Sequence, residues 1–161
     1  MKWVTHQAVA VAAAYTLKMP AEGLAAVWLG SVMPDILDQK IAGLFRNRQK
    51  AFNQIHRGAT HWFGIWALLL CAAFVLPLPS PLESAVAGLG FGGLAHVALD
   101  MCTPSGIPLV PWSRRNKFSL KICKTGGVGE YCFLAVSMAL FGCLYPDELR
   151  GLWRALEKFL Y

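Results

Sequence analysis

The chain has 161 residues, 56% of them hydrophobic and 15% charged, with a formal net charge of +6 and a mean hydropathy of +0.46. That length fits one domain, residues 1–161, and the charge content lies well below the quarter typical of soluble domains. A helical membrane protein with short loops fits this balance, against the alternative of a very apolar soluble bundle. The positive charge does not read as a nucleic-acid surface, because it is confined to two loops. Lys40, Arg46, Arg48, Lys50 and Arg57 occupy one, and Arg114, Arg115, Lys117, Lys121 and Lys124 the other. Both flank apolar segments, as the positive-inside rule requires, and both suit anionic lipid headgroups.

In chain order, residues 3–18 and 24–33 predict an N-terminal pair of short apolar helices, broken around Pro20 and Gly23. Neither reaches the ~20 residues of a full span. Residues 40–57 read as a polar, basic loop with room for a short helix. Residues 62–78 read as a strong span, and Pro77, Pro79 and Pro81 turn the chain. Residues 82–101 form the next span, with Gly88, Gly90, Gly92 and Gly93 suited to close helix approach. A second basic loop covers 102–128, and a last span covers 129–145 before Pro146. Residues 146–161 predict an amphipathic helix lying on the membrane, with Leu149, Leu152, Trp153, Leu156, Phe159 and Leu160 opposite Arg150, Arg154, Glu157 and Lys158. The expected fold class is therefore all-α: a polytopic membrane helical bundle of about three strong spans, an N-terminal helical pair and a C-terminal amphipathic helix.

The five cysteines make no CxxC pair. Cys71 and Cys143 read as packing groups in apolar runs, and Cys102 and Cys123 fall on the side assigned to the cytoplasm, where disulfides are rare. No cleavable signal peptide is evident, since Lys2 alone precedes the first apolar run.

With both basic loops inside, the proline turn faces outward, and span 82–101 ends at the cytoplasmic face with His96 and Asp100. His56 and His61 lie where span 62–78 begins, and His6 and Asp35 bracket the N-terminal pair. All four histidines of the chain then collect at one membrane face. Taken singly, each group has a plain reading: an interfacial histidine, a Pro-Asp turn, an Asp38 helix cap, or a hydrogen-bonded His96–Asp100 pair one helical turn apart. Taken together, imidazoles and carboxylates are the donor set of Zn²⁺ and its neighbours, and their number exceeds the four ligands of one tetrahedral site. Two or more ions bridged by a carboxylate would use them all and would suit phosphoryl displacement, with Arg57 available to a phosphate oxygen. Glu130, opening the last span, is a further ligand, general base or helix-terminal carboxylate.

Met33-Pro34-Asp35-Ile36-Leu37-Asp38, His56-Arg57-Gly58-Ala59-Thr60-His61 and His96-x-x-x-Asp100-x-x-Thr103 occur in that order after Thr5-His6. Together they resemble the YdjM-like family of predicted inner-membrane metal-dependent hydrolases. The two carboxylates of the second element lie one residue further apart than in the family's usual Asp-x-Asp, and Trp62 replaces a small hydroxyl residue. The resemblance implies a hydrolase remotely similar to zinc-dependent phospholipase C and P1 nuclease. It implies His6, Asp35, His56, His61, His96 and Asp100 as direct ligands of two or three divalent ions, with zinc expected. The expected protein is a multi-pass protein of the bacterial inner membrane. Near the cytoplasmic face, a metal-activated water would cleave a phosphoester of an anionic phospholipid or lipid-linked phosphate. The alternative is a non-catalytic membrane protein whose metal is structural and which serves a partner or an assembly. A metal or proton transporter ranks below both, because its ionisable groups would lie at mid-bilayer and on both faces.

Overall fold

The computed structural model describes residues 1–111 and 116–148, together with 150, 154 and 157. The chain is mostly helical. α1 (Trp3–Thr16) and α2 (Ala21–Gly30) form an antiparallel pair, joined where Lys18 takes a left-handed φ of 57° and Pro20 opens the second helix. α3 (Met33–Gly43) follows at once, with Pro34 in its first turn, where the missing N–H costs nothing. α4 (Arg48–Ile55) fills much of the first basic loop. Its start is capped by the Asn47 side chain, which accepts from the Lys50 N–H at 3.0 Å. A 3₁₀ turn (Ala59–His61) leads into α5 (Phe63–Val75), and the proline turn leads into α6 (Ser80–Met101). Two short strands, β1 (Ile107–Pro108) and β2 (Lys117–Phe118), then pair antiparallel, Ile107 opposite Phe118, before α7 (Val128–Leu144). The strand pair lies inside the expected second loop. Most of the predicted amphipathic helix 146–161 lies outside the described residues.

α6 is the central helix. It packs along α2 and α5, and α1 lies against α2, α6 and α7. Glycine makes this possible at two neighbouring positions. A Cβ on Gly92 would fall 2.5 Å from the Val27 carbonyl oxygen of α2, and one on Gly93 would collide with the Trp66 ring of α5. Bare backbone thus lets α2 and α5 close on adjacent faces of α6.

α6 is the one described helix long and apolar enough to cross a membrane by itself. Its 22 residues extend about 33 Å, against a hydrocarbon core of about 30 Å. α5 has 13 residues, short of the span expected over 62–78, and α7 has 17, the length expected over 129–145; both lie below the ~20 residues of a full crossing. α5 is continued by α4 and the 3₁₀ turn across a bend of 42°.

A cluster of polar side chains is buried while many large apolar ones are exposed. The largest fully buried side chains begin with His6, His61, His96 and Glu130. Leu68 and Phe74 of α5, and Val136, Leu140 and Leu144 of α7, are exposed. A surface of this kind suits a lipid solvent, while that cluster of ionisable groups is withdrawn into the protein.

A candidate metal centre

Several helix ends converge on one place: the starts of α1, α3 and α5 and the ends of α2 and α6. α1 brings His6, the first turn of α3 brings Asp35, the 3₁₀ turn brings His61, and the last turns of α6 bring His96 and Asp100. His56 arrives from the end of α4. The His6 and His96 rings stack at 3.9 Å, those of His61 and His96 lie 5.1 Å apart, and those of His56 and His61 5.3 Å apart. All four histidines therefore share one neighbourhood. All six expected ligands fall into two compact donor groups, His6 with His96 and Asp100, and Asp35 with His56 and His61.

The groups touch through His61 and His96, whose Nε2 atoms are 3.3 Å apart. The Nδ1 of His96 lies 2.7 Å from the Ser31 carbonyl oxygen. A carbonyl can only accept, so the proton of the neutral ring sits on Nδ1 and its Nε2 lone pair points inward. The Nδ1 of His61 faces Asp38 Oδ2 at 3.4 Å and Thr60 Oγ1 at 3.1 Å. Its Nε2 is likewise directed inward, toward Asp35 Oδ1 at 3.3 Å and Asp100 Oδ2 at 3.6 Å. Two lone pairs and two carboxylate oxygens thus face one small space. Both ring nitrogens of His6 and Oδ1 of Asp35 are buried with no hydrogen-bond partner. Such atoms cost about 1–3 kcal/mol each when left alone, and a divalent cation is the group that this donor set fits.

The carboxylates are held from behind. Asp100 Oδ1 takes the Arg57 Nη2 at 3.0 Å and the Met1 amino group at 2.8 Å, leaving Oδ2 toward His61 and His96. Arg57 also donates from Nη1 to Thr103 Oγ1 at 2.7 Å. The Arg57 backbone reaches this position through a left-handed φ of 58°, beside Gly58. Asp35 Oδ2 accepts from the Trp3 indole at 2.9 Å. Burial opposes the charge of Asp35, but the His61 and His96 rings beside it and the Trp3 indole hold its carboxyl down, to about 2.

Arg57 is drawn into the cluster, with two N–H groups engaged by Asp100 and Thr103, so it positions a carboxylate. Glu130 lies elsewhere. Its oxygens accept from the Lys2 N–H at 2.6 Å, Thr5 Oγ1 at 2.7 Å and the Gly126 N–H at 2.6 Å. It stands in neither of the two donor groups found among the described residues. From α7, Glu130 ties down the start of α1 through Lys2, next to Met1 on Asp100, and through Thr5, next to His6. Sequence reasoning offered Asp38 only as a helix cap and missed the parts played by Ser31, Thr60 and Trp3. Two of these act through a carbonyl and an indole, groups that no ligand motif displays.

An apolar exterior around a buried imidazole–carboxylate cluster defines a helical membrane protein with a candidate metal centre at one end. The chain belongs to the family described as YdjM inner membrane protein, whose profile matches residues 1–157. It is 36% identical over 105 residues to the inner membrane protein YdjM of Escherichia coli K12, and equally to that of Shigella flexneri. These alignments take in 58% of this chain and 50% of each relative, so the chain matches about half the length of those proteins. The relatives' names support an inner-membrane location. No solved structure matches the chain.

Proposed function

We propose that the cluster is a centre for two or three divalent ions, filled by zinc, and that it hydrolyses a phosphoester of a phospholipid or lipid-linked phosphate. The observation that carries this reading is the pair of Nε2 lone pairs, on His61 and His96, facing each other 3.3 Å apart beside the unpartnered Asp35 oxygen. A cation relieves that repulsion and satisfies the stranded donors together. When bound, such ions activate water and polarise phosphoryl oxygens. The residues do the rest. Ser31 fixes the His96 ring, and Asp38 with Thr60 fixes that of His61. Arg57 holds Asp100 in place and adds positive charge beside the site. Lys40, Arg46, Arg48, Lys50, Lys117, Lys121 and Lys124 surround this end in sequence and favour an anionic headgroup.

The same basic residues support a multi-pass topology with this end toward the cytoplasm. α6 crosses alone, while α5 with the bent α4 segment, α7, and the α1–α2 pair complete the embedded bundle as shorter elements. A structural metal serving a partner remains the competing reading, and it needs every coordination position closed by protein. Exposure of the His56 side chain, at 31%, favours an open position.

The test is metal analysis of detergent-purified protein, joined to turnover of phosphodiesters and phospholipids presented in mixed micelles. Stoichiometric zinc with phosphoester cleavage, both lost in His61→Ala, is the expected result. Protein without bound transition metal overturns the metal centre, and bound zinc without cleavage transfers the case to the structural reading.

A further inference from the structure

The two donor groups differ in access to solvent. His6, His96 and Asp100 are all buried, closed over by α1, α2 and α6. The second group opens on one side. The side chains of Asp35 and His56 are 14% and 31% exposed, while that of His61 is fully buried. His56 also stands apart in its backbone. It lies just past the end of α4 with φ −56° and ψ 131°, and the chain then reverses through the left-handed Arg57. The other five expected ligands sit within helices or the 3₁₀ turn. His56 is held by less: its ring stacks on Phe52 at 4.6 Å and its Nδ1 meets Asp38 Oδ2 at 3.1 Å.

We infer that the centre consists of two unequal metal sites. His6, His96 and Asp100 form a sealed inner site that keeps its ion, and Asp35, His56 and His61 form a rim site whose ion exchanges with solvent through the His56 side. Open coordination positions belong to the rim ion alone. Asp35 and His61 also reach the inner group, with Asp35 Oδ1 3.8 Å from His96 Nε2, so the inner site keeps a full donor set when the rim is empty. The inference rests on the metal reading of the cluster.

The experiment follows zinc release from the zinc-loaded full chain in detergent after mixing with excess EDTA and a zinc indicator. Two phases of equal amplitude are expected. The inner phase should be roughly tenfold or more slower, because release from a buried group needs a local opening of the helices. His56→Ala should hold one zinc fewer and lose only the fast phase, and its circular dichroism reports whether the fold persists. Release of all zinc in a single phase overturns the inference and leaves the metal centre standing, as does a fast phase that survives in folded His56→Ala. A chain that takes up no zinc overturns both.

Discussion

Asp38 follows Asp35 by three residues, nearly one turn of α3, and the two carboxylates meet the same imidazole from opposite edges. Asp35 Oδ1 lies 3.3 Å from His61 Nε2, and Asp38 Oδ2 lies 3.4 Å from its Nδ1. Asp38 is also tied by the Arg57 N–H at 3.2 Å and by the Thr60 hydroxyl. It therefore sets the tautomer and angle of His61, the work that a carboxylate behind a metal-bound histidine performs. Asp38→Asn should weaken zinc binding by roughly 10–100-fold while leaving the stoichiometry intact. Competition against a chelator of known affinity measures this, and an unchanged affinity removes Asp38 from the site's support. Asp35 yields a pH prediction. Its folded-state carboxyl is depressed from 3.8 to about 2, so its contribution to stability is complete above the ordinary value and is lost as pH falls toward about 2. Acid titration of the metal-free protein should show that loss between those limits, and in Asp35→Asn this part of the acid transition should disappear.

α1 begins without a capping side chain or an acidic residue of its own. The N–H of Lys2, just before its first residue, and the Thr5 hydroxyl are served across the bundle by Glu130 of α7. Glu130→Ala strands those buried donors and should lower stability by about 1–3 kcal/mol. Thermal unfolding in detergent is the measurement, and an unchanged transition refutes the tie. A second coupling runs through α6. Gly92 abuts the backbone of α2 just before Ser31, whose carbonyl holds His96. A Cβ there would lie 2.8 Å from the Ser31 N atom, so Gly92→Ala must push α2 away and loosen the His96 ring. Overpacking of this kind costs about 1–3 kcal/mol, and zinc affinity should fall together with thermal stability. A variant that loses neither shows that the helices have slack at this point.

Among the described residues, many large apolar side chains face outward while one cluster of ionisable groups is buried, an arrangement that a bilayer rewards and water penalises. Cys71 on α5 and Cys132 and Cys143 on α7 are exposed on the protein's own surface. If lipid covers those faces, a membrane-impermeant thiol reagent should leave all three unmodified in native vesicles and reach them after denaturation in SDS. Ready modification in intact vesicles would mean that α5 and α7 face water. Such a result would place helices of 13 and 17 residues in the embedded part of the proposed topology. Short elements can be embedded where neighbouring helices bury them and the bilayer thins to meet them.

Helical class, the approximate place of each apolar segment and the imidazoles and carboxylates that the fold gathers were legible in the chain, because each is carried by local signals. Apolar runs mark helices, prolines mark their breaks, and imidazoles and carboxylates at short fixed spacings mark donors. Even the Asp35–Asp38 interval was visible, although its meaning was not. Burial and pairing between distant segments belong to the tertiary structure. It assigned Glu130 to the start of α1, turned Arg57 onto Asp100, and set a backbone carbonyl behind His96. It also divided the donors into a buried group and a rim group. α5 is shorter than its hydropathy pattern because the proline turn after Val75, rather than composition, ends the helix. Sequence names which groups are available for chemistry; only the packed backbone fixes which lone pairs face each other and which side chain is left open to solvent.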